Sequence, residues 1–414
     1  MSPTGRAALA FGAIAIIALV LPWPVAALLA LGVVGATLAD AAIARRPVEV
    51  TRTLPTILAR GVPAVLTLRS EPVAGTIRMR QATAPDLVLR EQEVRGPELQ
   101  TTLTGRRRGR HTLPAPAARI VGPLGLAVWN RRPGADEEVL VYPDLPNAHR
   151  LATSVRRGRF RHEGRARGPL GLGTDFESIR EYEPDDDIRQ VNWRTTERVG
   201  RPMSNQYRVD TDRDVICVVD CGRLMAAPVL DRTRLDAAVD AATAVSAVAD
   251  VLADRCGVVA FDARVRRDVP PRRAGGRAVV HALFDVEPVA VESDYLGTFA
   301  TVAERKRAWV IVFTDLLEGT AARPLLEALP ALVRRHAVAV ASSIDPELEE
   351  LLVASPRDRT DVYRTAVALD VGHARLRVVS ELRRRGVDVI EAPPARLASA
   401  CVRAYLRAKA RARV

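Results

Sequence analysis

Val215-Ile-Cys-Val-Val-Asp220 is a run of five apolar residues closed by a carboxylate, and similar runs recur at Gly257 to Asp262, Trp309 to Asp315, Ala337 to Ser342 and Val387 to Glu391. Runs this short and continuously apolar have the character of strands buried on both faces of a parallel sheet. Between them the period changes. Arg234 to Leu252 carries Leu235, Val239, Ala242, Val245 and Val248, a three-to-four spacing that gathers one apolar stripe on a helix. Strand and helix alternating in this way predict a doubly wound α/β domain over 210–414, with its ligand crevice at the carboxyl ends of the strands. Asp220, Asp262 and Asp315 each fall at such an end. The closing segment, Ala395 to Val414, sets arginines around Leu397, Val402, Tyr405 and Leu406, which reads better as a last packing helix with a basic end than as a lipid-binding one.

Ahead of this domain the pattern is different. Between Pro47 and Leu145, short alternating segments such as Ala64 to Arg69 and Thr76 to Arg80 are punctuated by Pro and Gly, so residues 47–147 are expected to form a small antiparallel β-sandwich. Within it Gly122-Pro-Leu-Gly-Leu126 reads as a tight turn, and His111 stands alone as a structural residue. Residues 148–209 are expected to be a linker and docking segment, rich in Arg and Gly from Arg150 to Gly173 and more distinctive after it.

No charged side chain occurs from Ala7 to Ala39, and one straight helix of that length would reach roughly 50 Å, well past a hydrocarbon core of about 30 Å. Pro22-Trp-Pro24 breaks the run, which predicts a transmembrane hairpin over residues 1–46. Arg6 before it and Arg45-Arg46 after it place both ends on the cytoplasmic side of the plasma (inner) membrane, with the soluble domains cytoplasmic. A cleaved signal sequence ending near Ala39-Asp40-Ala41 and a single tilted span are the competing readings.

The 414 residues carry 61 basic against 49 acidic side chains, a net charge of +12, which ordinarily raises nucleic acid as a partner. All but two of the basic residues are arginine, the exceptions being Lys306 and Lys409, and no recognition motif or aromatic interleaving accompanies them, so no nucleic-acid partner is expected. The Gly168 to Thr174 run lacks the lysine of a phosphate-binding loop. Four cysteines, Cys217, Cys221, Cys256 and Cys401, have no metal-binding spacing and are expected as reduced thiols. Neither G-x-S-x-G nor H-E-x-x-H occurs, and the sequence is read as that of a protein that is not an enzyme.

The most distinctive stretch runs from Asp175 to Arg194. Arg180, Arg189 and Arg194 are placed to fork onto the carboxylates of Asp186, Asp187 and their neighbours, Tyr182 and Trp193 supply apolar anchors, and Pro184 with the Asp run reads as a helix start. Arginines this close keep carboxylates ionised, which suits docking better than acid–base work. The pattern R-x-Y-x-P-x-D-D-x-R-x-x-x-W resembles the hallmark of domain-of-unknown-function family fifty-eight, with Asp185 where that family usually has Gly and Asn192 where it usually has Asp. The resemblance implies a von Willebrand A-like domain behind the hallmark, and a membrane-anchored adaptor or chaperone-like partner of a MoxR-type AAA+ ATPase. Such domains often hold Mg²⁺ through D-x-S-x-S, but the corresponding residues here are Asp220, Gly222 and Leu224. A degenerate metal set of Asp220, Ser293 and Asp315 is what would remain, so no cofactor is expected and a metal-dependent ligand-binding domain is the alternative.

Overall fold

The computed structural model describes residues 2–20, 22–158, 170–183, 191–208, 214–316 and 319–410. The chain divides into two units, Met1–Tyr142 and Pro143–Val414.

In the first unit α1 (Gly5–Ile17) and α2 (Trp23–Ala44) lie against one another on either side of Pro22. Pro22 is the N-cap of α2 and Pro24 sits in its first turn, where a missing N–H costs nothing. α2 has 22 residues, about 33 Å, and is the one described helix long and apolar enough to cross a membrane. With 13 residues α1 reaches only about 20 Å, so the expected pair of spans is not supported and one candidate span stands.

The rest of this unit is built from twelve short strands. β1 (Ser2–Pro3), β5 (Thr76–Arg80), β7 (Glu93–Arg95), β10 (Ala117–Val121) and β11 (Ala127–Arg131) form a sheet in the order β1-β11-β10-β5-β7. β2 (Val50–Thr53), β4 (Ala64–Ser70), β6 (Leu87–Leu89) and β8 (Glu98–Gly105) form a second in the order β2-β4-β8-β6, and β3 (Ile57–Ala59), β12 (Glu137–Tyr142) and β9 (Gly109–Leu113) a third. The pairing is antiparallel except between β3 and β12. Alternation does the sorting: Leu66, Leu68, Ile77, Met79, Leu99 and Leu103 point inward to one core, and the polar residues between them point out.

In the second unit α3 (Leu145–Arg156) is followed by a ribbon of β13 (Leu170–Glu181) and β14 (Met203–Arg208), with α4 (Trp193–Val199) between the two strands. The α/β pattern then begins. β15 (Asp214–Asp220), β18 (Arg255–Phe261), β20 (Ala308–Phe313), β21 (Ala337–Ser343) and β22 (Asp388–Ala392) are mutually parallel, and β19 (Val265–Arg272) closes one edge antiparallel in the order β19-β18-β15-β20-β21-β22. A two-stranded ribbon, β16 (Pro228–Val229) and β17 (Arg232–Thr233), leads into α5 (Arg234–Val251), whose first turn is fixed by a capping box between Thr233 and Asp236. The other helices are α6 (Gly276–Leu283), α7 (Tyr295–Ala303), α8 (Gly319–Val333), α9 (Pro346–Val353), α10 (Arg359–Arg384) and α11 (Pro394–Ala410).

Both faces of the sheet are covered, and the parity of β15 shows how. Val215, Cys217 and Val219 pack with residues of α5 and α11, whereas Ile216 and Val218 pack with residues of α7, α8 and α10. A strand buried on both faces has no polar alternation, which is why the sequence runs are continuously apolar. The five expected strands and the expected α5 lie within two residues of their observed bounds. α11 buries Leu397, Cys401, Val402, Tyr405 and Leu406, so its apolar stripe faces protein. All four cysteines are buried thiols, and none of them is in a disulfide.

Candidate functional site

Two places collect the residues that the sequence singles out. The first is the carboxyl end of the parallel sheet. Asp220, the last residue of β15, is 1% exposed, and its carboxylate accepts four hydrogen bonds. The Gly222 amide (2.8 Å) and the Ser293 hydroxyl (2.5 Å) donate to Oδ1, and the hydroxyls of Tyr295 (2.6 Å) and Thr314 (2.8 Å) donate to Oδ2. Burial first, and then the negative charge of Asp220, push the Tyr295 phenol well above its ordinary range, so it stays a neutral donor. Gly222 is required by space: a Cβ there would lie 2.1 Å from the Ser293 hydroxyl oxygen.

Asp315 follows Thr314 just beyond β20. Its Oδ1 accepts from the Arg234 guanidinium, from the Leu316 amide (2.8 Å) and from Ser342 (3.4 Å). Arg234 also donates to the Ser343 carbonyl at 3.3 Å, and Arg375 bridges Ser342 (3.2 Å) to Glu391 (2.5 Å). Burial lifts the Asp315 carboxyl above the usual range against the opposing pull of Arg234 and Arg375. Asp262 accepts from the Arg264 amide at 3.2 Å and Arg266 at 3.4 Å, which makes it a loop-bracing residue.

A hard divalent cation does not fit these residues. Gly222 and Leu224 offer no side-chain oxygen, the lone pairs of Asp220 are taken by four donors, and Asp315 already faces the fixed positive charge of Arg234. Among the described residues no group of three His, Cys, Asp or Glu side chains is placed to hold a metal. Asp220 and Ser293 of the degenerate set do meet; Asp315 stands beside them but turns to Arg234. Sequence reasoning missed Arg234, Tyr295 and Thr314. Thr314, preceding a strand-end aspartate, was the one with a positional signal.

The hallmark is the second place. Arg180 and Tyr182 lie at the end of the β13–β14 ribbon, where Ser204 pairs with Arg180 and also bridges to Val191. That arrangement sets the two described parts of the hallmark on either side of β14. Arg180 donates to the Glu181 carbonyl (2.9 Å) and pairs with Glu183 at 3.5 Å, and the Tyr182 amide donates to the Pro202 carbonyl at 3.0 Å. Asn192 caps α4 by accepting from the Thr195 amide (3.0 Å) and is tied to Asn205 at 2.8 Å, so asparagine serves the cap where the resemblance expects aspartate. Trp193 opens α4 with 68% of its surface exposed, and Arg194 is exposed beside it. Pro184, Asp186, Asp187 and Arg189, with the expected helix start, lie outside the described residues.

A mostly parallel α/β sheet with helices on both faces, preceded by a capped ribbon that displays an aromatic residue, defines a mixed α/β protein. Residues 178–382, which span the hallmark and the sheet as far as α10, match the family described as "Protein of unknown function DUF58", and this region of the chain belongs to it. Uncharacterized proteins of Mycobacterium bovis and Mycobacterium tuberculosis are 26% identical over 191 residues, which is 44% of this chain and 58% of theirs. The chain thus matches a little over half the length of those relatives. A cohesin module from a Clostridium perfringens family 33 glycoside hydrolase is similar over 23% of this chain and 96% of its own, at 10% identity and a TM-score of 0.15.

Proposed function

We propose that this protein is a membrane-anchored, non-catalytic adaptor that docks other proteins through the hallmark and a von Willebrand A-like α/β domain. The anchor is α2, and the soluble parts face the cytoplasm. The MoxR-type AAA+ ATPase implied by the family resemblance is the partner we put forward.

The observation that carries this reading is unburied apolar surface on the second unit. Trp193 is 68% exposed, and on α9 and α10 Val353 (87%), Tyr363 (74%), Val367 (62%) and Leu376 (61%) stand in solvent. Val362, Leu369 and Leu376 are all exposed at intervals of seven residues, which aligns them along one side of α10. Contiguous apolar surface on a soluble face marks an interaction site more often than chance exposure, and aromatic residues carry a large share of binding energy there.

The test is recovery of partners from native membranes with the detergent-solubilised full chain. The wild type is expected to retain an AAA+ ATPase, and a Trp193→Ala/Tyr363→Ala variant of unchanged melting temperature is expected to lose it. Equal recovery by both proteins, or recovery of no ATPase by either, would overturn the assignment.

A further inference from the structure

On the outer face of the five-stranded sheet of the first unit, three arginines stand directly opposite one another on adjacent strands. Arg119 of β10 pairs in register with Arg78 of β5, and Arg78 with Arg95 of β7. All three are exposed, and like charges opposed across a ladder lower stability unless something else is gained. Arg78 is answered by Glu93; among the described residues Arg95 and Arg119 have no partner. The three line a cleft of about 700 Å³ together with Gly75, Thr76 and Val121. Gly75 (φ +142°) lies so close to β10 that a Cβ there would stand 2.2 Å from the Val121 carbonyl oxygen.

The cleft's position gives the arginines a target. Val121 adjoins the turn Gly122 to Leu126, and into that turn the Asp40 carboxylate of α2 inserts, accepting from the amides of Leu124 (2.9 Å), Leu126 (2.8 Å) and Ala127 (2.9 Å). Leu38 of α2 is 59% exposed and Leu124, at the tip of the turn, is 56% exposed. With α2 in a bilayer, this turn sits where the hydrocarbon ends. Arg119 lies two residues along β10 from Val121, about 7 Å at the rise of a strand, and the headgroup layer is about 5 to 8 Å deep on each side. Guanidinium forks match phosphate oxygens in pairs, and an anionic phosphate resolves the repulsion that the ladder otherwise carries.

We propose that the cleft between Arg78, Arg95 and Arg119 binds the phosphate of an anionic phospholipid headgroup in the leaflet that α2 enters. This rests on α2 as the anchor. Two arginines free of protein carboxylates, at headgroup depth and beside an open cleft, are the arrangement that such a ligand needs.

The full chain, reconstituted in nanodiscs of mixed phosphatidylcholine and phosphatidylglycerol, tests this when released into native mass spectrometry. The wild type is expected to carry phosphatidylglycerol in preference to phosphatidylcholine, and Arg95→Gln/Arg119→Gln is expected to lose that preference by about fivefold per arginine, roughly 25-fold together. Because the substitutions relieve like-charge contacts, the variant's melting temperature should not fall. An Arg69→Gln/Arg110→Gln control removes the same formal charge from the other two sheets and is expected to leave the preference in place. An equal loss in the control, or no loss in the ladder variant, would overturn the site. Displacement of the lipid by soluble glycerol phosphate at matched concentration would overturn the membrane source in favour of a free phosphate ligand. Failure of the chain to enter nanodiscs at all would instead remove α2 as the anchor, and the headgroup assignment with it.

Discussion

Arg234 and Asp315 form a buried ion pair at the carboxyl end of the parallel sheet, with side chains only 7% and 0% exposed. Arg234 opens α5 and Asp315 follows β20, so one contact ties a helix start to a strand end across 81 residues of sequence. A guanidinium thus stands at the end of the sheet where a bound cation would otherwise balance the carboxylates. Removing one partner of such a pair leaves the other charge buried alone, so Arg234→Ala should cost about 3 to 5 kcal/mol in urea unfolding. Arg234→Met paired with Asp315→Leu should recover much of that, because both charges then leave together.

The same carboxylate makes a pH prediction. Its folded pKa is raised, burial outweighing the arginines. The stability contributed by its proton is therefore fully present below the ordinary carboxylate pKa of about 3.9 and is lost as pH rises through the raised folded value. The difference in unfolding free energy between wild type and Asp315→Asn should drift against the wild type as pH rises across that window and then level off. A constant difference at all pH values would mean that Asp315 is not shifted.

Asp220 makes a different kind of prediction, about what a single reversion does. Gly222→Ser restores one serine of the D-x-S-x-S pattern on paper, but its Cβ would meet the Ser293 hydroxyl oxygen at 2.1 Å. Destabilisation of about 1 to 3 kcal/mol is expected, by overpacking. Neither the variant nor the wild type should gain melting temperature on adding Mg²⁺. A rise that depends on Mg²⁺ in either one would show that the four donors around Asp220 give way to metal.

How far these arrangements could be read from sequence depended on range. The five parallel strands and α5 were legible because burial on two faces, or on one helical stripe, writes a local pattern. Asp220, Asp262 and Asp315 were placed correctly at strand ends for the same reason. What each carboxylate touches was not legible: Tyr295 and Thr314 reach Asp220 from 75 and 94 residues away. The apolar amino-terminal run looked like two spans because composition does not say where a helix stops, and α1 ends at Ile17 after 13 residues. Likewise Asp40 read as the middle of a small-residue cleavage pattern, and Gly122-Pro-Leu-Gly-Leu126 as an ordinary turn. Their union spans more than 80 residues and leaves no periodic trace.

That union can be broken from either side. Asp40→Ala strands the amides of Leu124, Leu126 and Ala127 that its carboxylate now satisfies, and the buried Ala127 donor alone, left without a partner, costs about 1 to 3 kcal/mol. Gly122→Ala places a methyl 2.2 Å from the Asp40 carboxylate and should disturb the same contact without altering any charge. Both variants should lower the melting temperature of the full chain in detergent and speed proteolysis within 122–127. If Asp40→Ala melts like wild type, the turn does not depend on the helix.

Trp193 should behave in the opposite way. With 68% of its surface in solvent, at the first position of a short helix capped by Asn192 rather than by itself, it contributes little to the fold. Trp193→Ala should therefore change unfolding free energy by no more than about 0.5 kcal/mol, as surface substitutions do. An aromatic anchor at a protein interface is worth about 2 kcal/mol or more, so partner affinity should fall at least roughly 30-fold in a direct binding measurement. Asn192→Ala separates the two effects: it removes the cap, costs about 1 kcal/mol of local stability, and should weaken binding only as far as α4 frays. A Trp193→Ala protein that unfolds early but binds normally would reverse the assignment, making the tryptophan part of the fold and not of the interface.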